Sequence, residues 1–339
     1  MKLSFKIKKI KYLIYSKCIF LLIVFLAALN KESIKTIKYI NVSYSIDENY
    51  HYIAHVSMKS IMINQNNNTF ILFYIMIPSK WGDDKKKIIN QICEEHKNCN
   101  ITFIEMNNNF NEYDVGKRGL WTTAMFYRIE LQNILYMENK ILYLDCDTLI
   151  YKDLNEIYNI NIKNKYYIGM LSRLQLKKFG FNLHNSINSG VMLINLDQLR
   201  KDNISTKIRN FLDKYQHQLD FPDQDAINAI CNQKNGYFHP KYVVSGYCNI
   251  NLIKDYVNSL FIKVKLKDVI QSYKDPYIYH LIIYSKPWKG IPNFRGIVCF
   301  DPMTRFYEMA RKTSYYYEIM KNFKVNLKHI YNYSIITKI

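Results

Sequence analysis

Hydrophobic and polar positions along the first half of the chain predict strands and helices in turn. Continuous apolar runs of strand length occupy Tyr39–Ile46, Phe70–Ile77, Ile101–Glu105 and Ile141–Leu144. The stretches between them carry apolar residues at helical spacing, with helices predicted after Ile46, over Asp84–His96 and over Leu120–Leu135. The chain therefore alternates strand and helix from about residue 39 onward.

This alternation of unbroken apolar strands with helices is typical of a parallel sheet that helices cover on both faces. The sequence therefore predicts an α/β fold with a mainly parallel, Rossmann-like sheet. Ligands of such sheets bind beyond the carboxyl ends of the strands, near the point where strand order reverses. Asp47, Asp145 and Asp147 each follow a predicted strand, so we expect them at that edge.

Two acids, Asp145 and Asp147, stand one residue apart directly after the apolar run Ile141–Leu144. Residues i and i+2 of a strand point to the same face, so we expect both carboxylates to face one cleft. Two carboxylates repel each other unless a cation lies between them, and a divalent metal held this way keeps positions for a substrate diphosphate. The alternative is a loop in which both acids are solvated or cap a helix. Cys146, between them, is predicted to be a buried residue.

Composition narrows the class of protein. The chain has 339 residues, of which 49% are hydrophobic, enough for one large or two small domains with a core. It contains only ten glycines and no glycine-rich loop before a helix, which argues against the common dinucleotide and phosphate-loop motifs. The net charge of +19 permits binding to phosphates or anionic surfaces, although lysine is spread along the whole chain. The seven cysteines show no zinc-like spacing, and Cys93 could pair with Cys99.

The N-terminal region carries six lysines ahead of the charge-free apolar run Cys18–Leu29. The run has the length of a signal-peptide core, and with Tyr12–Tyr15 it approaches the roughly 20 residues that span a bilayer. The lysines would hold this end in the cytoplasm. We expect residues 1–36 to be an uncleaved membrane anchor and stem, with a cleaved signal peptide or a buried helix as alternatives.

Six further stretches occur in a characteristic order. They are Val42–Tyr50, Phe126–Arg128, Tyr143–Leu149, Ile187–Val191, Asp223–Asp225, and His280 with Lys286–Trp288. In order and spacing this set, which spans about residues 38–296, resembles the retaining glycosyltransferases of family 8. That family includes bacterial galactosyltransferases and glucosyltransferases, glycogenin and galactinol synthase. The resemblance implies a GT-A fold, a UDP-hexose donor and an Mn²⁺ cofactor.

The resemblance also implies roles for individual residues. Asp145, Asp147 and His280 would coordinate the metal, a ligand set that suits Mn²⁺. The donor-binding residues would be Asp47, Asn49, Tyr50, Arg128, Asp145, Cys146, Asn188, Ser189 and Lys286. Asp223 and Gln224 would be catalytic, and because the amide of Gln224 is a poor nucleophile we expect the acceptor hydroxyl to attack from the front face. Ile283 stands where the family usually has a glycine.

Alternative roles stay open for several of these residues. Asp47 and Asp223 could be helix caps, Arg128 a solvated helix residue and His280 an ordinary core or surface histidine. The run L-D-C-D-T-L also resembles the nucleophile strand of haloacid-dehalogenase phosphatases, although the glycine expected after the second acid is missing. The basic charge suggests another alternative, a non-catalytic, membrane-bound sugar-binding protein.

The sequence thus predicts three regions: the anchor and stem at 1–36, a glycosyltransferase domain at 37–304 and a basic aromatic helical tail at 305–339. We expect the enzyme to move glucose or galactose from UDP to a hydroxyl of a glycan, glycolipid or protein, with no nucleic-acid partner. The tail could contact a membrane surface or the acceptor, or be a solvated terminal helix. In a eukaryote the protein would be a type II membrane protein of the secretory pathway or Golgi, and in a bacterium it would work at the cytoplasmic face of the inner membrane.

Overall fold

The computed structural model describes residues 37–107, 110–115, 121–172, 186–245, 250–259, 264–282, 286–289, 293–294, 297–298 and 300–322. The predicted anchor, the substitution at Ile283 and the end of the predicted tail from residue 323 lie outside these ranges. Nearly all of the described residues belong to one compact unit that begins at Tyr39. No helix within these ranges combines the length and the apolar character needed to cross a membrane.

Two sheets organise this unit, and a third has two short strands. The strands are β1 (Lys38–Ser45), β2 (Thr69–Pro78), β3 (Cys99–Met106), β4 (Lys140–Leu144), β5 (Thr148–Ile150), β6 (Tyr167–Ser172), β7 (Ser186–Asn195), β8 (Gly236–Tyr237), β9 (Val243–Ser245), β10 (Ile278–His280), β11 (Asn293–Phe294) and β12 (Ile297–Val298). The main sheet has the order β3-β2-β1-β4-β7-β6-β8, and the second has the order β5-β10-β9. All four strands predicted from the apolar runs are present.

Helices surround the sheets. They are α1 (His51–Asn64), α2 (Asp83–Glu95), α3 (Leu131–Ile134), α4 (Asn155–Tyr158), α5 (Leu196–Lys201), α6 (Ile204–Tyr215), α7 (Pro222–Cys231), α8 (Ile250–Ser259), α9 (Leu266–Lys274), α10 (Phe300–Ala310) and α11 (Tyr316–Asn322). The predicted helix Leu120–Leu135 differs in detail: Thr123–Glu130 form a 3₁₀ helix, and α3 follows directly. The predicted Asp84–His96 helix agrees with α2 to within one residue at each end.

The main sheet is mainly parallel, as predicted. β1 pairs with β4 in parallel, and so do β2 with β3 and β6 with β8. β7 runs antiparallel to both β4 and β6, a feature that the apolar pattern does not reveal. Because the chain moves outward from β1 to β3 and then returns to pair β4 with β1, strand order reverses at this pair.

The core lies on both faces of the sheet, which explains why the strands are apolar throughout. In β4, Leu142 and Leu144 pack into one cluster with α1 residues, whereas Ile141 and Tyr143 pack into a second cluster on the opposite face. All four side chains are fully buried. Successive strand residues point to opposite faces, so a strand covered on both sides must be apolar at every position.

The C-terminal helices α10 and α11 belong to the same core. Phe306 and Tyr307 of α10 and Ile319 of α11 are buried in the cluster that also contains β1. Helix α10 crosses the predicted boundary between residues 304 and 305. The first part of the predicted tail therefore packs on the domain through its apolar residues.

Candidate active site

Asp145 and Asp147 lie in a tight turn between β4 and β5, at the carboxyl end of β4. Both carboxylates face one cleft, as expected, but strand alternation is not the reason, because neither residue belongs to a strand. Hydrogen bonds to neighbouring strands hold the turn instead. The amide of Asp145 donates to Gly190 O at 2.7 Å, and the carbonyl of Asp147 accepts from the amide of Leu281 at 2.8 Å.

His280, at the end of β10, completes a group of three potential metal ligands. One ligand atom from each of Asp145, Asp147 and His280 lies within 4.8 Å of the others. Nε2 of His280 is 3.1 Å from Oδ1 of Asp147 and 3.7 Å from Oδ2 of Asp145. Two carboxylates and one imidazole that converge in this way fit a divalent cation such as Mn²⁺.

Gly190, in β7, lies directly against two of the three potential metal ligands. A Cβ atom built on Gly190 would lie 2.3 Å from Cε1 of His280 and 2.5 Å from Oδ2 of Asp145. Any side chain would therefore overlap two of the ligands, so this position of β7 requires glycine to let the backbone approach them.

Lys286 pairs with Asp147, the more buried of the two carboxylates. Its Nζ atom lies 2.7 Å from Oδ2 of Asp147, whose side chain is almost fully buried. Burial raises the pKa of Asp147, but the nearby charges of Lys286 and His280 outweigh it and leave the pKa below its usual value. Asp147 therefore stays ionised and available to a cation.

Arg128 connects the acidic turn to the opposite wall. Its guanidinium donates to Oδ1 of Asp145 at 2.8 Å and to the carbonyl of Ser189, and its Nε lies 3.4 Å from Oδ2 of Asp223. Burial lowers the pKa of Arg128, but the adjacent carboxylates outweigh this and raise it overall. Arg128 is therefore a buried, charged residue that holds Asp145, Ser189 and Asp223 together, and it is not a solvated helix residue.

Asn188, Ser189, Asp223 and Gln224 come together on the other side of Arg128. Oε1 of Gln224 accepts hydrogen bonds from Nδ2 of Asn188 at 2.9 Å and from the amide of Ser189 at 3.1 Å. Asp223 and Gln224 occupy the first turn of α7 and are buried. Burial raises the pKa of Asp223, and the charge of Arg128 opposes this shift.

The residues expected around uridine lie after β1. Oδ1 of Asp47 accepts from the amide of Asn49 at 2.8 Å, and Oδ2 accepts from Oγ1 of Thr122 at 3.1 Å. Tyr50 directly precedes α1, with Nζ of Lys286 5.6 Å from its ring centroid. Asn49 is exposed and does not line the cleft, whereas Asp47 and Tyr50 do.

These residues enclose one cleft made of two connected cavities of about 110 and 180 Å³. The smaller cavity contains Asp47, Tyr50 and Cys146, and the larger contains His280 and the residues around Gln224. Arg128, Asp145, Asp147 and Lys286 line both cavities. Cys146 is buried as predicted, its Sγ donates to the carbonyl of Ser45, and burial raises its pKa well above the usual range.

Sequence reasoning missed several residues that shape this cleft. Tyr143 donates its hydroxyl to Oδ1 of Asp145 at 3.0 Å, and its ring lies 4.3 Å from the guanidinium of Arg128. Trp121 and Phe221 line the larger cavity and form an edge-to-face pair with ring centroids 5.4 Å apart. Tyr143 is two residues before the first acid, where the i, i+2 spacing could have indicated it, whereas the meeting of Trp121 and Phe221 depends on the fold.

The family of the chain follows from its similarity to known proteins. The sequence profile described as Glycosyl transferase family 8 matches residues 41–291. The chain belongs to this family. It is therefore a glycosyltransferase, and the resemblance inferred from the motifs is confirmed. The phosphatase and the non-catalytic binder are not supported.

Individual relatives agree with this assignment. A lipopolysaccharide 1,2-glucosyltransferase of Escherichia coli is 25% identical to this protein over 268 residues. The aligned region covers 75% of this chain and 74% of the relative. A Haemophilus influenzae relative is 27% identical over 210 residues, covering 60% of this chain but 62% of that protein, less than two thirds of its length. The galactosyltransferase LgtC, solved with donor and acceptor sugar analogues, superposes with a TM-score of 0.68 at 19% identity, over 81% of this chain and 96% of LgtC. The predicted GT-A fold is thus confirmed.

Proposed function

We propose that this enzyme is a metal-dependent, retaining hexosyltransferase that moves glucose or galactose from a UDP-sugar to an acceptor hydroxyl. The observation that carries the proposal is the convergence of Asp145, Asp147 and His280 on one point of the cleft. Lys286 and Arg128 add two buried cationic groups beside that point, as an anionic diphosphate requires.

Each part of the donor meets a different set of residues. Tyr50 offers an aromatic face and Asp47 an acceptor for the N–H of the uracil base. Lys286 lies where it can exchange its contact with Asp147 for the diphosphate. Bound between the three ligands, Mn²⁺ would supply stabilisation of the charge that develops on the UDP leaving group. Asn188, Ser189, Asp223 and Gln224 line the part of the cleft that is left for the hexose.

For a retaining enzyme, the way Gln224 is held favours front-face attack over a covalent intermediate. Its amide oxygen accepts two hydrogen bonds, so both the chemistry of the amide and its contacts argue against a nucleophilic role. Asp223 is paired with Arg128, which fixes its carboxylate beside the hexose pocket. We infer that Asp223 and Gln224 orient the sugar while the acceptor hydroxyl attacks from the same face that the UDP leaves.

The relatives support the donor and acceptor classes. The Escherichia coli relative is named as a lipopolysaccharide glucosyltransferase, and LgtC is named as a galactosyltransferase. We therefore infer glucose or galactose as the transferred sugar and a glycan, glycolipid or protein as acceptor. Nothing in the cleft calls for a nucleic acid, and we propose none as a partner.

Thermal unfolding tests the donor assignment. UDP should raise the midpoint only when Mn²⁺ is present, because without the metal the diphosphate faces Asp145 and Asp147. GDP and CMP should protect less, since the uridine site around Asp47 and Tyr50 is built for one base. Equal protection by all three nucleotides, or protection that survives EDTA, would refute the proposal.

The cellular location is a separate proposal. Cys93, in α2, and Cys99, at the start of β3, form a disulfide, which favours an oxidising compartment. We propose that residues 1–36 anchor the protein and that the catalytic domain lies across the membrane, in the secretory pathway of a eukaryote. In a bacterium, where the donor is made in the cytosol, catalysis at the inner face is the alternative. Protease protection of a tag after Ile339 on sealed membranes decides between them, since digestion from the cytoplasmic side excludes the type II arrangement.

A further inference from the structure

A cavity of about 560 Å³, larger than either part of the catalytic cleft, lies next to it. It is enclosed by the end of β6, the segment that leads from β8 to β9, and α9. Its walls are mainly apolar and include Met170, Leu171, Phe238, Val244 and Val269, all of them buried. A cavity of this size holds a small-molecule ligand or a substantial part of one.

The cavity adjoins the catalytic residues through two strands. Ser245 lines the cavity and is the direct partner of His280 in the pairing of β9 with β10. Neighbouring strands are about 4.8 Å apart, so the cavity begins about one strand from a metal ligand. Leu171 lines the cavity, while the next residue, Ser172, lines the hexose side of the cleft together with His280.

The lining offers little to a sugar. The hydroxyl of Tyr273 already donates to the carbonyl of Ser245, and Nδ1 of His239 accepts from the amide of Lys241. Lys265 is exposed and stands at the edge. Asp268 of α9 is half-buried and also lines the cavity. Away from these polar groups a buried sugar would leave hydroxyl groups without partners, which costs free energy, whereas a hydrocarbon chain packs against the apolar residues.

We propose that this cavity binds a hydrocarbon chain attached to the acceptor, so that the enzyme glycosylates an amphipathic molecule. The polar end of that molecule would lie at the cleft beside His280, and the chain would extend between β6 and α9. This inference rests on the proposed transferase function, because only an acceptor must reach both places.

Two matched substitutions separate the cavity from the catalytic cleft. Val269→Phe, on α9, places a ring in the cavity, and Val264→Phe does so from a half-buried position that tolerates a larger side chain better. Ile270→Phe is the control, because Ile270 is half-buried on the same helix but does not line the cavity. All three leave the metal ligands untouched.

Binding is measured with N-phenyl-1-naphthylamine, an uncharged apolar fluorophore, on the full chain. We expect saturable binding that octyl glucoside displaces below its micellar concentration and methyl glucoside does not. At least one of the two cavity variants should weaken binding tenfold or more, with little change in Ile270→Phe. Absence of saturable binding, or equal binding in all variants, would overturn the proposal.

Hexosyl transfer is then measured with octyl and methyl glucosides and galactosides as acceptors. Hydrolysis of the UDP-hexose without an acceptor gives the basal activity of each variant. We expect an octyl glycoside to be used with a KM at least tenfold lower than its methyl counterpart, and the cavity variants to reduce this ratio while hydrolysis is unchanged. Intact hydrolysis without any advantage of the octyl chain overturns the inference alone. Absence of hydrolysis with every UDP-hexose counts against the transferase proposal, while the fluorophore still tests the cavity.

Discussion

The ammonium group of Lys286 lies 2.7 Å from Oδ2 of Asp147, one of the three potential metal ligands. This pair compensates the buried carboxylate when no metal is bound. A divalent cation held by Asp147 would lie close to this ammonium group, so we expect the cation and Lys286 to compete for the carboxylate. With a donor bound, Lys286 would contact the diphosphate instead.

Lys286→Met should accordingly strengthen the binding of the metal and weaken the binding of the nucleotide. Without UDP, Mn²⁺ should bind roughly tenfold more tightly, because a neighbouring positive charge is removed. With Mn²⁺ present, protection by UDP should fall. Electron paramagnetic resonance of free Mn²⁺ and thermal unfolding measure the two effects. Lys201→Met, which removes an exposed lysine paired with Asp197, is the control. Unchanged or weaker Mn²⁺ binding in Lys286→Met would contradict the competition.

Gly190→Ala should disable the metal site without unfolding the protein. The added Cβ overlaps His280 and Asp145, and relief of such overlap in a packed region costs about 1–3 kcal/mol. We expect Mn²⁺ binding to be lost and the free energy of unfolding to fall by that order. Gly236→Ala is the matched control, since its Cβ would meet the side chain of Ile168 at 3.1 Å and that of Lys165 at 3.8 Å, neither of them a metal ligand. Normal Mn²⁺ binding in Gly190→Ala would show that the ligands need not lie so close to β7.

Asp225 predicts a pH dependence of stability. Its Oδ2 accepts from the amides of Asp220 and Phe221 at 3.0 and 3.1 Å, and its Oδ1 is buried without a hydrogen-bond partner among the described residues. Burial, together with the nearby acids Asp223 and Asp220, raises the pKa of Asp225 to about 7, although the two amide hydrogen bonds oppose this shift. The folded state thus holds a proton that the unfolded state, with a pKa of about 3.9, gives up.

Stability from this proton is fully present below about pH 4 and is lost as the pH rises toward 7. Asp225→Asn keeps an acceptor for the two amides but cannot ionise. Urea unfolding of both proteins should give similar free energies at pH 4, and the variant should be more stable by roughly 2–4 kcal/mol at pH 7. A difference between the two that does not change with pH would contradict this pKa.

The sequence predicts most of the fold because strands buried on both faces of the sheet are apolar at every position. Leu142 and Leu144 pack on one side of the sheet and Ile141 and Tyr143 on the other, so β4 appears as an unbroken apolar run. The antiparallel direction of β7 leaves no such mark, because an apolar run such as Val191–Ile194 looks the same whichever way the strand runs. Strand order likewise depends on contacts far apart in the chain.

The site could be predicted only as a set of motifs. Spacing indicated that Asp145 and Asp147 act together, but the turn that aims them is held by Gly190 and Leu281, which lie 45 or more residues away in sequence. Arg128 was predicted to reach the donor, yet its contacts with Asp145, Ser189 and Asp223 show how it also orders the cleft. The cavity beside β6 combines residues from distant segments, none of which carries a motif.

The central claim is that Asp145, Asp147 and His280 bind a metal that hexosyl transfer requires. The most direct test measures release of UDP from UDP-glucose and UDP-galactose, with and without Mn²⁺, in Asp145→Asn, Asp147→Asn and His280→Ala. Asp197→Asn, at an exposed acid of α5, is the control. Each ligand variant should lose at least about 100-fold in rate, since changing a residue that merely supports a metal ligand already costs 10- to 100-fold. Wild-type turnover in two of the three variants, or turnover that persists in EDTA, would contradict the account.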